Sequence, residues 1–233
     1  MALAPLATLA GRPVVYLQSC DSTNRVARDL GREGGTGLVL AEHQEAGRGR
    51  LGRRWTSEPG QNLTFSLILR PRIPAVQAPR AVLIWAAALA AALDLRVKWP
   101  NDLVDEAGHK VAGLLAELET AGDQVDFIVL GVGLNVNQTS FPDLPNAASL
   151  ATVRGGPQDR LEVLRAAVGA VYAAEPARDG LALWRARAHT LGRQVRVGDV
   201  VGTATGIRDD GALLIDGHPI LAGDVEMVSP TSV

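Results

Sequence analysis

Along this chain the spacing of apolar and polar positions changes several times, and each change marks an element. Val14 to Leu17 is a short apolar run that reads as a strand. Asp21-Ser22-Thr23-Asn24 follows with helix-capping chemistry; Val26, Ala27 and Leu30 then fall on one helical face, and Gly31 reads as a stop. Gly37 to Ala41 is a second strand. Leu63 to Leu69 nearly alternates, which predicts a strand with one clear core face. Pro71, Pro74 and Pro79 form a connector into Ala81 to Leu93, an alanine-rich run suited to a buried helix. Arg96 to Trp99 reads as a strand ended by Pro100, and Asp105-Glu106-Ala107-Gly108 as a turn. Val111 to Leu118 and Val125 to Val132 read as a hairpin around Ala121-Gly122-Asp123. Phe141 to Pro157 reads as loop-rich, with helices over Leu161 to Ala174 and Leu181 to His189.

Beyond Leu191-Gly192 the texture changes. Short β-like runs from Gln194 to Met227 are broken by Gly198-Asp199, Asp209-Asp210-Gly211, Asp216-Gly217 and Gly223-Asp224. Such spacing predicts a small all-β barrel of about 40 residues. A boundary near residue 190 would divide the chain into 1–189 and 190–233.

Composition narrows the classes. The 233 residues are 47 % hydrophobic, enough for a large core and against global disorder. A formal net charge of −2 argues against bulk nucleic-acid binding. Cys20 is the single cysteine, so no disulfide can form within the chain, which fits a cytoplasmic protein; it reads as a small buried residue. The apolar run Ala81 to Leu93 is shorter than the roughly 20 residues a membrane span needs. Met1 to Ala10 lacks a basic n-region and reads as a ragged start, not a signal peptide. His43, His109, His189 and His218 show no zinc-ligand spacing.

Four patches carry candidate chemistry. Gly47-Arg48-Gly49-Arg50-Leu51-Gly52-Arg53-Arg54-Trp55 combines glycines, which let backbone approach a ligand, with guanidinium forks for anionic oxygens and an indole face for a base. Read alone, it could equally be a solvated linker or an RNA-binding tract. Lys98-Trp99-Pro100-Asn101-Asp102 and Lys110-Val111-Ala112-Gly113 place two lysines around a bend beside small residues; surface ion pairing is the plain alternative. Trp99 reads as a core aromatic. Gly131 to Asn137 ends an apolar strand with room for a ligand, and Asn135 either bonds that ligand or pins a loop. Asp21 to Asn24 caps a helix whose free backbone donors can also serve a ligand.

Taken in order and spacing, these patches resemble biotin protein ligases. The matching residues are Asp21 to Asn24, Ala41 to Arg50, Gly52 to Trp55, Asn62-Leu63, Lys98 to Asp102, Lys110 to Glu117 and Gly131 to Asn135, with a family-like β tail around Gly211 to Ile215. The resemblance implies an α+β fold: a mixed β-sheet with helices packed on it, class II synthetase-like, followed by an SH3-like β-barrel. It implies formation of biotinyl-5′-AMP from biotin and ATP, with Mg²⁺ on the phosphates, then transfer of biotin to a lysine of a biotin carboxyl carrier protein. By the same resemblance Lys110 bridges carboxylate and α-phosphate, Arg48, Arg50 and Arg53 gather phosphate oxygens, and Lys98 contacts phosphate. Asp102 orients Lys110 or deprotonates the incoming lysine. Ser22, Thr23, Asn24 and Gln44 face biotin with Arg48, Gly49, Arg50, Lys110 and Gly113, Trp55 packs over adenine, and Asn135 reads adenine or fixes the adjacent loop. No metal ligands are identifiable.

A homodimer through an exposed sheet edge is also implied. About 20 residues precede the first motif, too few for the helix-turn-helix domain some members carry, so a ligase without DNA binding is expected. Pro59 stands one position later than the family's usual Ser-Pro arrangement. A lipoate-type ligase and a non-catalytic biotin-binding regulator are the competing readings.

Overall fold

The structure is a computed structural model and describes residues 3, 6–142 and 144–228. The chain runs β1 (Thr8–Leu9), β2 (Arg12–Cys20), α1 (Thr23–Arg32), β3 (Gly37–Gln44), β4 (Leu63–Leu69), α2 (Ala78–Leu93), β5 (Arg96–Lys98), β6 (Asp102–Val104), β7 (Lys110–Ala121), β8 (Gln124–Leu134), α3 (Leu150–Arg154), α4 (Arg160–Ala173) and α5 (Ala182–Arg187). It ends with β9 (Gln194–Val197), β10 (Val200–Ile207), β11 (Leu213–Ile215), β12 (His218–Ile220) and β13 (Glu226–Met227). The expected start over Met1 to Ala10 lies partly outside the described residues.

The first eight strands form one mixed sheet in the order β1-β2-β3-β4-β8-β7-β6-β5. Only β2 and β3 pair in parallel, with α1 as their crossover. The last five strands form an antiparallel sheet in the order β12-β11-β10-β9-β13. Trp99 joins the two parts. Its indole N–H donates to the Gly211 carbonyl at 3.0 Å, and its backbone N–H donates to Thr190 Oγ1 at 2.9 Å. It is 2 % exposed, the core aromatic its setting suggested.

Both faces of the large sheet are covered, which explains several departures from the sequence reading. β4 is buried at all seven positions rather than on one face. Phe65 and Leu67 belong to the main core, which α2 and α4 help build, while Ile68 packs with Ala27, Val39, Phe127 and Val129 beneath α1. Gly31 does not stop α1, which continues to Arg32. It lets the helix press on Phe127, whose ring lies where a Cβ would stand. The segment 141–157 is not all loop: Ser149 caps α3 through a reciprocal pair with Thr152. Cys20 is only half-buried.

The apolar helical stretch is longer than expected, nineteen residues from Ala75 to Leu93, so length alone does not exclude a membrane span. Leu83, Ile84, Trp85 and Leu89 are buried in the main core, and the helix packs against α4 and α5 as a core helix does.

Candidate active site

On the α1 side, the centre of the sheet is floored by small residues. Register aligns Asp102, Gly113, Gly133 and Thr64 across β6, β7, β8 and β4, and Leu115, Gly131 and Ser66 one row along. A Cβ on Gly131 would overlap Asn24 Oδ1, and one on Gly133 would overlap the Trp55 indole. These glycines therefore make room for groups from above the sheet.

Lys110 reaches this face through a β-bulge. Leu103 pairs with Ala112, but Val104 pairs with Lys110, so Val111 is the extra residue. In a regular strand Lys110 and Gly113 would face opposite sides; the bulge puts them on the same side as Asp102. Lys110 Nζ then sits 2.7 Å from Asp102 Oδ1 and 5.7 Å from the Trp55 ring centroid.

The start of α1 faces the same space. Ser22 holds the N-cap position with extended backbone, yet its hydroxyl makes no cap bond. Gln44 does that work instead: its Oε1 accepts from Thr23 N at 2.8 Å and from Thr23 Oγ1 at 3.0 Å. This fixes the Gln44 amide with its NH₂ as the free end. The fully buried Ser66 hydroxyl lies 2.7 Å from both Thr23 Oγ1 and Asn24 Oδ1. Asn24 Nδ2 donates to the Leu115 carbonyl and to Glu117 Oε1.

The glycine-arginine segment closes the cleft as a small hairpin. Arg48 and Arg54 are bridge partners, Gly49 N donates to Arg53 O at 2.7 Å, and Trp55 N donates to Gly47 O at 3.0 Å. Leu51 and Gly52 take positive φ (55° and 74°) at its tip, so the second residue has to be tolerant of that conformation and glycine is. Its arginines divide in two. Arg50 donates to Asn101 Oδ1 at 3.1 Å and Gly223 O at 3.3 Å and lies 3.7 Å from Asp224; Arg53 lies 2.7 Å from Asp224. Asp224, from the loop between β12 and β13, thus holds two flap cations. Arg48 has no carboxylate partner among the described residues. Behind the flap, Gly60 N donates to Glu42, whose carboxylate is paired with Arg160 at 2.8 Å.

The resulting cleft has a volume of about 300 Å³. Its lining holds Ser22, Thr23, Asn24, Gln44, Arg48, Gly49, Arg50, Arg53, Trp55, Asp102, Lys110 and Gly113. Two expected site residues lie elsewhere. Lys98 lines an adjoining cavity of about 240 Å³ that shares Asp102, Lys110 and Leu144 with the cleft. Asn135 is buried and donates to the Ala148 carbonyl at 3.0 Å, pinning the loop after β8. His43 is exposed and outside the lining. Asn101, Arg54 and Leu144 line the cleft without having been singled out. Asn101 had a signal, since it stands inside the Lys98 to Asp102 patch; Leu144 had none.

Residues 16–135 match the Biotin/lipoate A/B protein ligase family, and residues 190–228 match the Biotin protein ligase C terminal domain. The chain belongs to the biotin/lipoate A/B protein ligase family. It is 35 % identical to the biotin--[acetyl-CoA-carboxylase] ligase of Paracoccus denitrificans, over 86 % of this chain and 93 % of that one. The bifunctional ligase/repressor BirA of Bacillus subtilis is 33 % identical, over 93 % of this chain and 74 % of its own length. Among solved structures, the biotin protein ligase of Aquifex aeolicus in complex with biotin and ATP is similar with a TM-score of 0.71 and 28 % identity, covering 93 % of this chain and 99 % of that one.

Proposed function

We propose that this protein is a biotin protein ligase that joins biotin to ATP as biotinyl-5′-AMP and passes the biotinyl group to a lysine of an acetyl-CoA carboxylase carrier protein. The observation that carries the reading is the meeting, in one cleft, of a fixed amide-hydroxyl pair, an amine and a cationic flap. The free Gln44 NH₂ and the Ser22 hydroxyl suit the ureido head of biotin, and Thr23 keeps Gln44 in that orientation. Buried polar groups of this kind reject a ligand that cannot pair with them, which separates biotin from lipoate.

Adenylation brings a carboxylate against an α-phosphate, two anions that repel. Lys110 stands where both can share its ammonium, and Arg48, with no carboxylate to hold it, is the flap cation free to follow the phosphates. The biotin carboxylate oxygen forms the bond to phosphorus as pyrophosphate leaves. In the second step the carrier lysine amine bonds to the acyl carbon, AMP leaves, and Asp102 is placed to take the proton. The adjoining cavity beside Lys98 gives that amine an approach to the Lys110–Asp102 pair from the side away from biotin.

Magnesium is expected with ATP, but the described residues give it no protein ligand set. No group of three His, Cys, Asp or Glu converges among them, and Asp102, the one carboxylate in the cleft lining, is paired with Lys110. Any such ion belongs to the nucleotide's own phosphate oxygens, and no step here runs through it.

The reading includes a division into residues 1–189 and 190–233, supported by the two separate sheets, and a homodimer through a sheet edge, for which β1 is available while Val97 of β5 is bridged to Ala188. Light scattering with and without biotin and ATP tests the dimer. The activity is tested by incubating the protein with ATP, labelled biotin and a carrier fragment. Label on the carrier lysine supports the proposal; label retained without transfer marks a binding module, and preference for lipoate marks the other branch of the family.

A further inference from the structure

At the far end of the large sheet, where β3 begins and β4 ends, lies a second cavity of about 430 Å³. It shares no residue with the ligase cleft. Four arginines line it: Arg12, Arg70, Arg72 and Arg178. Arg70 is tied to Asp126 at 2.8 Å and to the Gly31 carbonyl at 2.6 Å, and Arg178 to Glu175 at 3.2 Å. Arg12 and Arg72 have no carboxylate partner among the described residues. Arg12 lies over the Tyr172 ring, 5.5 Å from its centroid.

The floor is of a different character. Ile68, Leu69, Trp85 and Val171 are apolar and buried. The Tyr172 hydroxyl is shut from solvent and has no hydrogen-bond partner among the described residues. Burial pushes its pKa up to about 12, Arg12 pulling the other way, so it stays a neutral donor. The Arg12 and Arg72 guanidinium groups are exposed along this cavity, and their donors are free for an anionic acceptor. Ligase chemistry at the other end of the strands uses none of these groups.

We propose that this cavity binds a small amphipathic carboxylate, its head on Arg12 and Arg72 and its short apolar body against Ile68, Leu69 and Val171. A guanidinium fork matches the two oxygens of a carboxylate. The apolar floor favours a carbon chain over a bare, strongly hydrated anion such as phosphate.

Octanoate is the probe. It is titrated calorimetrically into the full chain, into Arg12→Ala/Arg72→Ala, into Tyr172→Phe, and into Lys110→Ala as a marker of the ligase cleft. Saturable binding is expected in the parent protein. It should weaken about tenfold or more in the double arginine variant and change little in Tyr172→Phe, which keeps the ring beneath Arg12, or in Lys110→Ala. The arginines are surface residues and phenylalanine preserves the ring, so melting temperatures near the parent's are expected. Absence of saturable binding overturns the proposal, as does weakening by Lys110→Ala in place of the arginine changes. Octanol binding as well as octanoate removes the anion site; inorganic phosphate binding as well as octanoate removes the apolar half. Either result also overturns the assignment.

Discussion

Lys110 Nζ lies 2.7 Å from Asp102 Oδ1 because the bulge at Val111 turns both side chains to the same face of the sheet. The pair separates the two steps of the proposed reaction experimentally. Lys110→Ala removes the one amine at the junction of carboxylate and phosphate, and pyrophosphate release should fall by about a thousandfold. Asp102→Asn keeps the shape and removes the proton acceptor. Single-turnover transfer from preformed biotinyl-5′-AMP should slow by about a hundredfold, with adenylation changed by less than about tenfold. Equal losses in both steps would remove the division of roles.

Arg48, unlike Arg50 and Arg53, has no carboxylate partner among the described residues, and Arg54 is held by the Glu45 carbonyl, so the loss of Arg48 costs the resting structure little. Arg48→Ala should leave the melting temperature nearly unchanged and raise escape of free biotinyl-5′-AMP about tenfold, because a flap that cannot follow the phosphates admits water. Filter retention of labelled adenylate measures this. Unchanged retention would count against the role.

Asp224 holds Arg53 at 2.7 Å and lies 3.7 Å from Arg50. Asp224→Ala frees Arg53 and leaves Arg50 only Asn101 and the Gly223 carbonyl, so trypsin should cut the flap at Arg53 several-fold faster in the unliganded protein. Cleavage at the parent rate would show that the β12–β13 loop does not restrain the flap through Asp224.

Glu42 and Arg160 form an ion pair whose side chains are 8 % and 7 % exposed, tying β3 to the first turn of α4. Burial alone would raise the Glu42 carboxyl. Hydrogen bonds and charge from Arg160, with the Gly60 N–H and Tyr16 hydroxyl, outweigh it and hold the pKa below the usual 4.5. The folded-state value is depressed, so the stabilisation is fully present above about pH 4.5 and is lost as pH falls through the lower value. Glu42→Gln should cost about 3 kcal/mol at neutral pH, since it leaves Arg160 buried without a counter-charge. The melting temperature should drop by roughly 6–12 °C. It should also flatten the acid limb of a stability-against-pH curve; an unaltered limb would assign that limb to other carboxylates.

Local chemistry was legible in the chain wherever one segment carries it alone. The Gly47 to Trp55 segment, the Lys110-Val111-Ala112-Gly113 strand start and the Asp21 to Asn24 helix start all line the cleft. What could not be read is what distant segments do to one another. Gly31 looks like a stop until Phe127, almost a hundred residues on, is seen beneath it. Ser22 reads as a cap until Gln44 takes the cap bond from across the sheet. The near-alternation of β4 predicts one core face, yet both are buried, because Thr64 is bonded to the Ala41 carbonyl and Ser66 to Thr23 and Asn24 of α1 rather than left to water. Asn135 was one of two possibilities in the sequence, and the Ala148 carbonyl accounts for its amide.

Ser66 is fully buried beneath Thr23 and Asn24 and is absent from the cleft wall. An effort to retrain this enzyme on a different vitamin by altering only the residues that touch the ligand would leave Ser66 in place. Through Thr23, that hydroxyl would go on setting the angle at which Gln44 presents its amide. Selectivity here is stored one layer deeper than contact, and redesign has to begin with a side chain the substrate never meets.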